Sequence, residues 1–305
     1  MSRKSIARIA SVAAILALLT AFPLTLGCGG APAGNPTLAT TIPPIALVLR
    51  ELASPRTEVV TLLSPGVSAH TYEITPADAR AVGSALALFY VDDALDGWAA
   101  RLPARMKVRL FEWVPADARI VFSGTHVEED GHDHEHGDFD PHFWSDPTVV
   151  KATLPKLADK LAELDPEGAE LYRANAKRFA EELDTLDQRV SEKLKPVKGR
   201  AIVTFHPSWD YYLKRYGIRN VGVLEPSPGK EASPQQIMNL VETIRAAGVT
   251  AVFSEPQLPS RPAEVLADTA DVKLGMLDPY GGVPGRTTYR ELIEFNTDAL
   301  LEMLQ

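Results

Sequence analysis

Cysteine is nearly absent from this chain: Cys28 is the single one among 305 residues. An internal disulfide needs two cysteines and a cysteine-type zinc knuckle needs several, so both are excluded. Any metal site must therefore use histidine, aspartate and glutamate. Histidine is itself scarce, with seven residues, and five of them lie within residues 126–142.

Long apolar runs are also missing, with one exception at residues 9–26, which follows three basic residues. A basic start, an apolar middle and small residues at the end are typical of a secretory signal. We therefore predict that residues 1–27 form a signal peptide of the lipoprotein type and that the protein is exported. A membrane-spanning helix is the alternative, and Pro23 and the Pro/Gly-rich residues after the run disfavour it.

The end of this segment reads LTLGC, which resembles a bacterial lipoprotein cleavage box and predicts a lipid anchor on Cys28. Thr25 departs from that pattern, and the small residues Ala31 and Ala33 offer an ordinary cleavage site instead. Either way we expect the periplasm or the outer face of the cytoplasmic membrane.

Basic residues are outnumbered, with 31 lysines and arginines against 40 aspartates and glutamates, a formal net charge of −9. Loss of Arg3, Lys4 and Arg8 with the signal peptide lowers that charge to −12. Such a surface repels nucleic acid, and the sequence has no phosphate-binding glycine motif. We expect no nucleic-acid partner and a monomer.

Short apolar runs alternate with amphipathic stretches after a flexible tether at 28–40, which predicts an α/β fold with mostly parallel sheets flanked by helices. Strands are predicted at 59–64, 85–91, 119–124, 201–206, 221–225, 251–255 and 272–278, and helices include 233–248 and 261–270. Between the halves, apolar residues recur every three or four positions, which predicts one long linking helix. The predicted divisions are an N-terminal lobe at 41–164, the linking helix at 165–195 and a C-terminal lobe at 196–305.

Four metal-binding side chains occur where such a fold places its ligands. His70 follows the first predicted strand, His206 and Asp278 each end a later one, and His142 precedes a helix in DPHFWSDP. The carboxyl ends of parallel strands converge on one crevice. Each residue alone also fits an ordinary surface histidine or an Asp-Pro turn, so only the combination predicts a site.

Four segments in this order resemble the metal-binding proteins of bacterial ABC importers for zinc and manganese. They read GVSAHTYEITPAD, DPHFWSDP, TFHPSWDYYLKRYG and SEPQLPSRPAEVLADTADVKLGMLDPYGG. The resemblance implies two lobes joined by a rigid helix, with the metal between them held by His70, His142, His206 and Asp278. It also implies an ABC permease and its ATPase as partners, and no enzyme activity. The segment YVDDALDGWAARL departs from the family pattern and keeps only Trp98 of it.

Three imidazoles and one carboxylate favour Zn(II) in a four-coordinate shell, whereas Mn(II) prefers more oxygen ligands. We therefore expect zinc as the bound ligand. A manganese or iron importer protein, a metal-stabilised surface adhesin and a zinc hydrolase are the alternatives. In the hydrolase, Asp278 would stand behind the ligands and Glu255 would act as general base, but no HExxH motif is present. In a transport protein, Glu255 is instead expected to lie outside the ligand shell and to contact one of the metal ligands.

Residues 126–140 form a predicted loop in which histidines alternate with acids. We interpret it as a weak auxiliary zinc site that feeds the main one, as in the His-rich loops of zinc-type relatives. A solvated charged loop without a role in uptake is the alternative. The auxiliary candidates are His126, His132, His134 and His136.

Overall fold

The computed structural model describes residues 35–122, 139–226 and 229–305. The predicted signal peptide and Cys28 lie outside the described residues, as do His126, His132, His134 and His136. Within the described part of the chain, no helix is both long and apolar enough to cross a membrane.

The N-terminal lobe is built on a four-stranded parallel sheet with the strand order β2-β1-β3-β4. Its strands are β1 (Thr37–Thr40), β2 (Glu58–Thr61), β3 (Leu88–Tyr90) and β4 (Lys107–Arg109). The helices are α1 (Pro43–Ala53), α2 (Pro76–Ser84) and the single turn α3 (Asp93–Asp96). Leu38, Ala39 and Phe89 are buried. Strands covered on both faces are apolar throughout and do not alternate.

The long helix α5 (Ala169–Leu194) follows α4 (Pro147–Leu164) and spans roughly 39 Å at 1.5 Å per residue. The predicted apolar face is the buried one: Tyr172, Ala176, Phe179, Leu183, Leu186, Val190 and Leu194. The helix begins later than the sequence predicts, because Pro166–Gly168 form a 3-10 turn. The side chain of Asp165 does not cap it, since that carboxylate is bound by Arg56 and Tyr172.

The C-terminal lobe repeats the first sheet's order, as β6-β5-β7-β8, again all parallel. Its strands are β5 (Ala201–Thr204), β6 (Arg219–Val223), β7 (Ala251–Ser254) and β8 (Lys273–Met276). Its helices are α6 (Asp210–Tyr216), α7 (Pro234–Ala247), α8 (Arg261–Ala270) and α9 (Tyr289–Leu304). The predicted fold class, two α/β lobes joined by a long helix, is confirmed.

Two local predictions are wrong, and one strand was not predicted. The predicted tether runs to residue 40, yet residues 37–40 are β1, which pairs with β2 on one side and β3 on the other. The predicted strand at 119–124 is not a strand in its described part, where Val121 makes an isolated bridge to Phe139 and is 60% exposed. The edge strand of the N-terminal sheet beside β3 is instead β4, which was not predicted from the sequence.

Candidate metal centre

Three imidazole rings meet between the lobes. The ring centroids of His70 and His142 lie 5.6 Å apart, those of His70 and His206 lie 5.7 Å apart, and those of His142 and His206 lie 5.3 Å apart. One nitrogen from each ring lies within 4.8 Å of the others. The Nε2 atoms of all three are buried without a hydrogen-bond partner among the described residues. Buried polar atoms are normally paired, so three unpaired nitrogens that converge indicate a cation site.

His70 lies in the 3-10 turn Ala69–Thr71, which follows β2. Two hydrogen bonds hold the turn at Ala69, the residue before the ligand. Trp98 Nε1 donates to the Ala69 carbonyl at 2.9 Å, and the Ala69 amide donates to the Tyr280 hydroxyl at 3.2 Å. One partner belongs to the N-terminal lobe and the other to the C-terminal lobe, so both lobes position His70.

His142 is fixed by Asp140, two residues before it. Asp140 Oδ1 lies 2.7 Å from His142 Nδ1 and also accepts the His142 backbone N–H at 2.9 Å. A carboxylate at Nδ1 places the ring proton there and leaves the Nε2 lone pair free for a metal. Sequence reasoning counted Asp140 among the acids of the His-rich loop and missed this role. The sequence feature that could have revealed this role is the position of Asp140 two residues before His142, in Asp-Pro-His.

His206 follows β5 by two residues and faces Glu255, the residue after β7. Its Nδ1 lies 2.6 Å from Glu255 Oε2. The other carboxylate oxygen of Glu255 accepts from Ser208 Oγ and Trp209 Nε1, at 3.3 and 3.2 Å. The strands β5 and β7 are neighbours at the point where the strand order reverses, which is where open α/β sheets bind ligands. Glu255 therefore contacts His206 at the ring nitrogen Nδ1.

Burial sets the protonation of the site. Desolvation, with repulsion from His142 and His206, lowers the pKa of His70 to about 2. Desolvation also lowers the pKa of His142 well below its usual value. The buried carboxyl of Asp140 has its pKa raised to about 7 by the same cause. The two histidines are therefore neutral, which is the form that binds metals.

Asp278 is not a member of the histidine cluster found among the described residues. Its Oδ1 accepts from Gln257 Nε2 at 2.9 Å and from the amides of Tyr280 and Gly281 at 3.0 and 3.1 Å. Its Oδ2 lies 3.0 Å from Arg286 Nη1. Both oxygens are thus engaged and the charge is paired, an arrangement that differs from the fourth-ligand role that the resemblance implies. Sequence reasoning gave no role to Arg286, which reaches Asp278 across an intervening glycine-rich turn.

Sequence comparison gives concordant matches. Residues 38–303 match the family ZnuA, described as zinc-uptake complex component A, periplasmic. The high-affinity zinc uptake system protein ZnuA of Brucella abortus is 30% identical over 274 residues, 78% of this chain and 82% of the relative. The zinc-binding lipoprotein AdcA of Streptococcus pneumoniae is 25% identical over 277 residues, 88% of this chain and 55% of the relative.

Solved structures agree with these matches. A crystal structure of ZnuA, 25% identical, superposes with a TM-score of 0.77 and covers 88% of this chain and 99% of its own. A Zn(II)-bound variant of AdcAII from Streptococcus pneumoniae, 27% identical, gives 0.77 over 90% of this chain and 100% of its own. The laminin-binding protein of Streptococcus agalactiae, 24% identical, shares the fold with a TM-score of 0.76. The chain therefore belongs to the ZnuA family of periplasmic zinc-uptake complex components.

Proposed function

We propose that this protein captures Zn(II) outside the cytoplasmic membrane and delivers it to an ABC permease powered by an ATPase. The observation that carries the proposal is the convergence of three histidine rings between two lobes, each with a buried Nε2 that has no hydrogen-bond partner among the described residues. Imidazole nitrogen is a preferred zinc ligand, and the relatives matched are named for zinc uptake or zinc binding. The role is binding and transfer without covalent chemistry.

We propose that zinc is held by His70, His142 and His206 through Nε2, and that a solvent molecule completes the tetrahedral shell. Asp140 and Glu255 support the histidines at Nδ1, so neither carboxylate is placed as a general base on the metal side. This favours a transport site over a hydrolase, which needs such a base beside its zinc-bound water. Asp278 keeps its ion pair with Arg286 and stabilises the conformation of its own loop.

Titration of the metal-free protein with Zn(II) and Mn(II) tests this ligand set. We expect one tight zinc per chain, weaker manganese, and loss of tight zinc binding in His142→Ala. Asp278→Asn should keep tight binding, because its carboxylate is engaged elsewhere. Gln188→Ala, on the exposed face of α5, is the control. Loss of tight zinc in Asp278→Asn would restore that residue as a ligand, and tighter manganese would overturn zinc as the cargo.

We propose further that Cys28 carries the lipid anchor, which is supported by the cleavage-box pattern and by the relative named as a lipoprotein. The mass of the mature N-terminal peptide decides this. A diacylated peptide that begins at Cys28, and a Cys28→Ser variant released from the membrane fraction, are expected. An unmodified mature chain that begins after Ala33 would contradict the anchor and leave zinc capture unaffected.

The His-rich loop is proposed as an auxiliary collector of zinc that uses His126, His132, His134 and His136. Deletion of residues 131–138 should remove weak binding and leave one tight zinc, because the three main ligands lie outside the deleted segment. Calorimetric titration of the deletion variant against the full chain measures both classes of site. If the weak class persists after the deletion, the loop is not the collector.

A further inference from the structure

One segment of the C-terminal lobe contacts both histidine-bearing turns of the N-terminal lobe. It is the loop of residues 278–282, which follows β8. The carbonyl of Pro279 accepts from Trp144 Nε1 at 2.8 Å, and the Tyr280 hydroxyl accepts from the Ala69 amide at 3.2 Å. Ala69 directly precedes His70, and Trp144 lies two residues after His142. The loop therefore reaches the backbone beside one ligand and a side chain beside the other.

The loop is held in a defined shape. Asp278 Oδ1 accepts the amides of Tyr280 and Gly281, and Asn296 of α9 both donates to and accepts from the Asp278 backbone, at 2.8 and 2.7 Å. Gly281 and Gly282 have φ angles of +65° and +78°, which L-residues with side chains seldom adopt. A Cβ on Gly282 would lie 3.1 Å from Pro43 of the N-terminal lobe. The close approach of the two lobes thus depends on this loop conformation.

The aromatic side chains at this contact form a row of neighbouring rings from Tyr280 through Trp144 to the ligand His142. The Trp144 ring lies 5.2 Å from the His142 ring and 6.2 Å from the Tyr280 ring, measured between centroids. Trp144 and Tyr280 are 1% and 2% exposed, so neither is free to move without repacking. The Tyr289 hydroxyl of the C-terminal lobe also donates to the Trp144 carbonyl at 2.8 Å. A shift of the loop would therefore be passed to both histidines of the N-terminal lobe.

We propose that Tyr280 and Trp144 form an interlobe latch that positions His70 and His142 against His206 and sets the rate of zinc release. The proposal rests on the zinc-binding function proposed above. Two of the three ligands belong to the N-terminal lobe and one to the C-terminal lobe. Zinc therefore leaves when the lobes part slightly, and parting breaks the two latch hydrogen bonds. Neither residue touches the metal, so both act as positioning residues.

The test is the rate at which zinc passes from the protein to a chromogenic chelator, measured by stopped flow. Tyr280→Phe removes one latch hydrogen bond and keeps the ring. We expect its zinc dissociation rate to rise about fivefold to tenfold, the size of one buried hydrogen bond, with the association rate unchanged. Trp144→Phe removes the donor of the other latch hydrogen bond, the one to the Pro279 carbonyl, and should act in the same direction. Both variants should still bind one zinc per chain.

Tyr212→Phe is the matched control. Its hydroxyl, also buried, shares a 2.7 Å hydrogen bond with Thr297 Oγ1 between α6 and α9, inside the C-terminal lobe. The same atom is removed, but no contact between the lobes is lost. Equal release from Tyr280→Phe and wild type would overturn the latch. Equal acceleration in Tyr212→Phe would also overturn it, because general loosening would then explain the effect.

The Trp144→Phe variant keeps the test decisive if Tyr280→Phe does not fold, since each latch hydrogen bond is removed by its own variant. Failure of the zinc-binding proposal has a different signature. In that case the wild-type protein itself would bind no tight zinc, whereas failure of the latch leaves tight binding intact with unchanged release.

Discussion

A carboxylate beside the far nitrogen of a ligand determines how that ligand binds. Asp140 lies 2.7 Å from His142 Nδ1, and Glu255 lies 2.6 Å from His206 Nδ1, so two of the three ligands have such a partner. Such a carboxylate fixes the tautomer and the ring orientation of the histidine that it contacts. The affinity of the site therefore depends on residues that never touch the metal.

The Asp140→Asn substitution tests this dependence. An amide accepts more weakly than a carboxylate and can instead donate to Nδ1, which would put the proton on the nitrogen that must bind zinc. We expect zinc affinity to fall about 10- to 100-fold, as is usual for such partners. Competition against a chelator of known affinity measures it. Asp184→Asn, which removes the same charge at an exposed position, should bind as wild type; equal losses would point to net charge as the cause.

The buried neutral histidines also predict a pH dependence of folding in the metal-free protein. Desolvation lowers the pKa of His70 to about 2, so below pH 6.5 the unfolded chain binds a proton that the folded protein does not. The stability contributed by the neutral ring is complete above pH 6.5. It is lost as pH falls, by up to about 1.4 kcal/mol per pH unit.

Other buried groups oppose this trend, so a comparison is needed. Burial raises the pKa of Asp140 to about 7 and that of Asp96 to about 6, and in the folded state these carboxyls bind protons as pH falls. Wild type and His70→Gln share both carboxyls, and their difference in free energy of unfolding isolates His70. Urea unfolding with a chelator at pH 7.5, 6.5 and 5.5 should show wild type losing stability relative to the variant below pH 6.5. A constant difference would contradict a lowered pKa.

How much of the site the sequence predicts varies from residue to residue. His70, His142 and His206 carry recognisable neighbouring residues, and the structure brings them together. The partners of Asp278 could not be read from the chain, because Arg286 reaches it only after a turn with positive φ at Gly281, Gly282 and Gly285. Tertiary packing fixes the conformation of such a turn. No periodic pattern in the sequence indicates which residue the turn brings back to Asp278.

Among the elements, the long helix α5 was the easiest to predict, and two strands were the hardest. Seven apolar residues at helical spacing identify its buried face without reference to any neighbour. The strands β1 and β4 read TLAT and KVR, and they lack the apolar run by which the other strands were predicted. They are strands because β1 pairs with strands on both sides and β4 pairs with β3. Tertiary context decides such short elements.

Helix α5 should be important for stability along its buried face only. Leu183, near the middle of the helix, is 1% exposed and belongs to the main hydrophobic core. We expect Leu183→Ala to lower the free energy of unfolding by about 2–5 kcal/mol through lost burial and a cavity. Denaturant unfolding measures it, with Gln188→Ala on the exposed face as control. A loss below 1 kcal/mol would show that the helix is not packed as described.

At the scale of the whole molecule, the lobes share one core. A single cluster of buried side chains includes Leu47 of the N-terminal lobe, Leu186 of α5, and Tyr289 and Leu300 of the C-terminal lobe. Such a core resists wide opening, because separation would expose apolar surface to water. Zinc release is therefore expected through small displacements at the ligand loops, which is where the latch of Tyr280 and Trp144 lies.

A metal bound between lobes should stabilise the whole fold, because the three ligands converge only in the folded state. Free zinc at 100 times its dissociation constant adds about 2.7 kcal/mol to the free energy of unfolding by mass action. Thermal unfolding with and without zinc measures this as a rise in melting temperature that grows with zinc concentration. His206→Ala should lose the rise, because His206 is the one ligand that the described residues of the C-terminal lobe supply to the cluster. If that variant kept the full rise, the stabilising zinc would bind elsewhere, and zinc could not be the ion that ties the two lobes together.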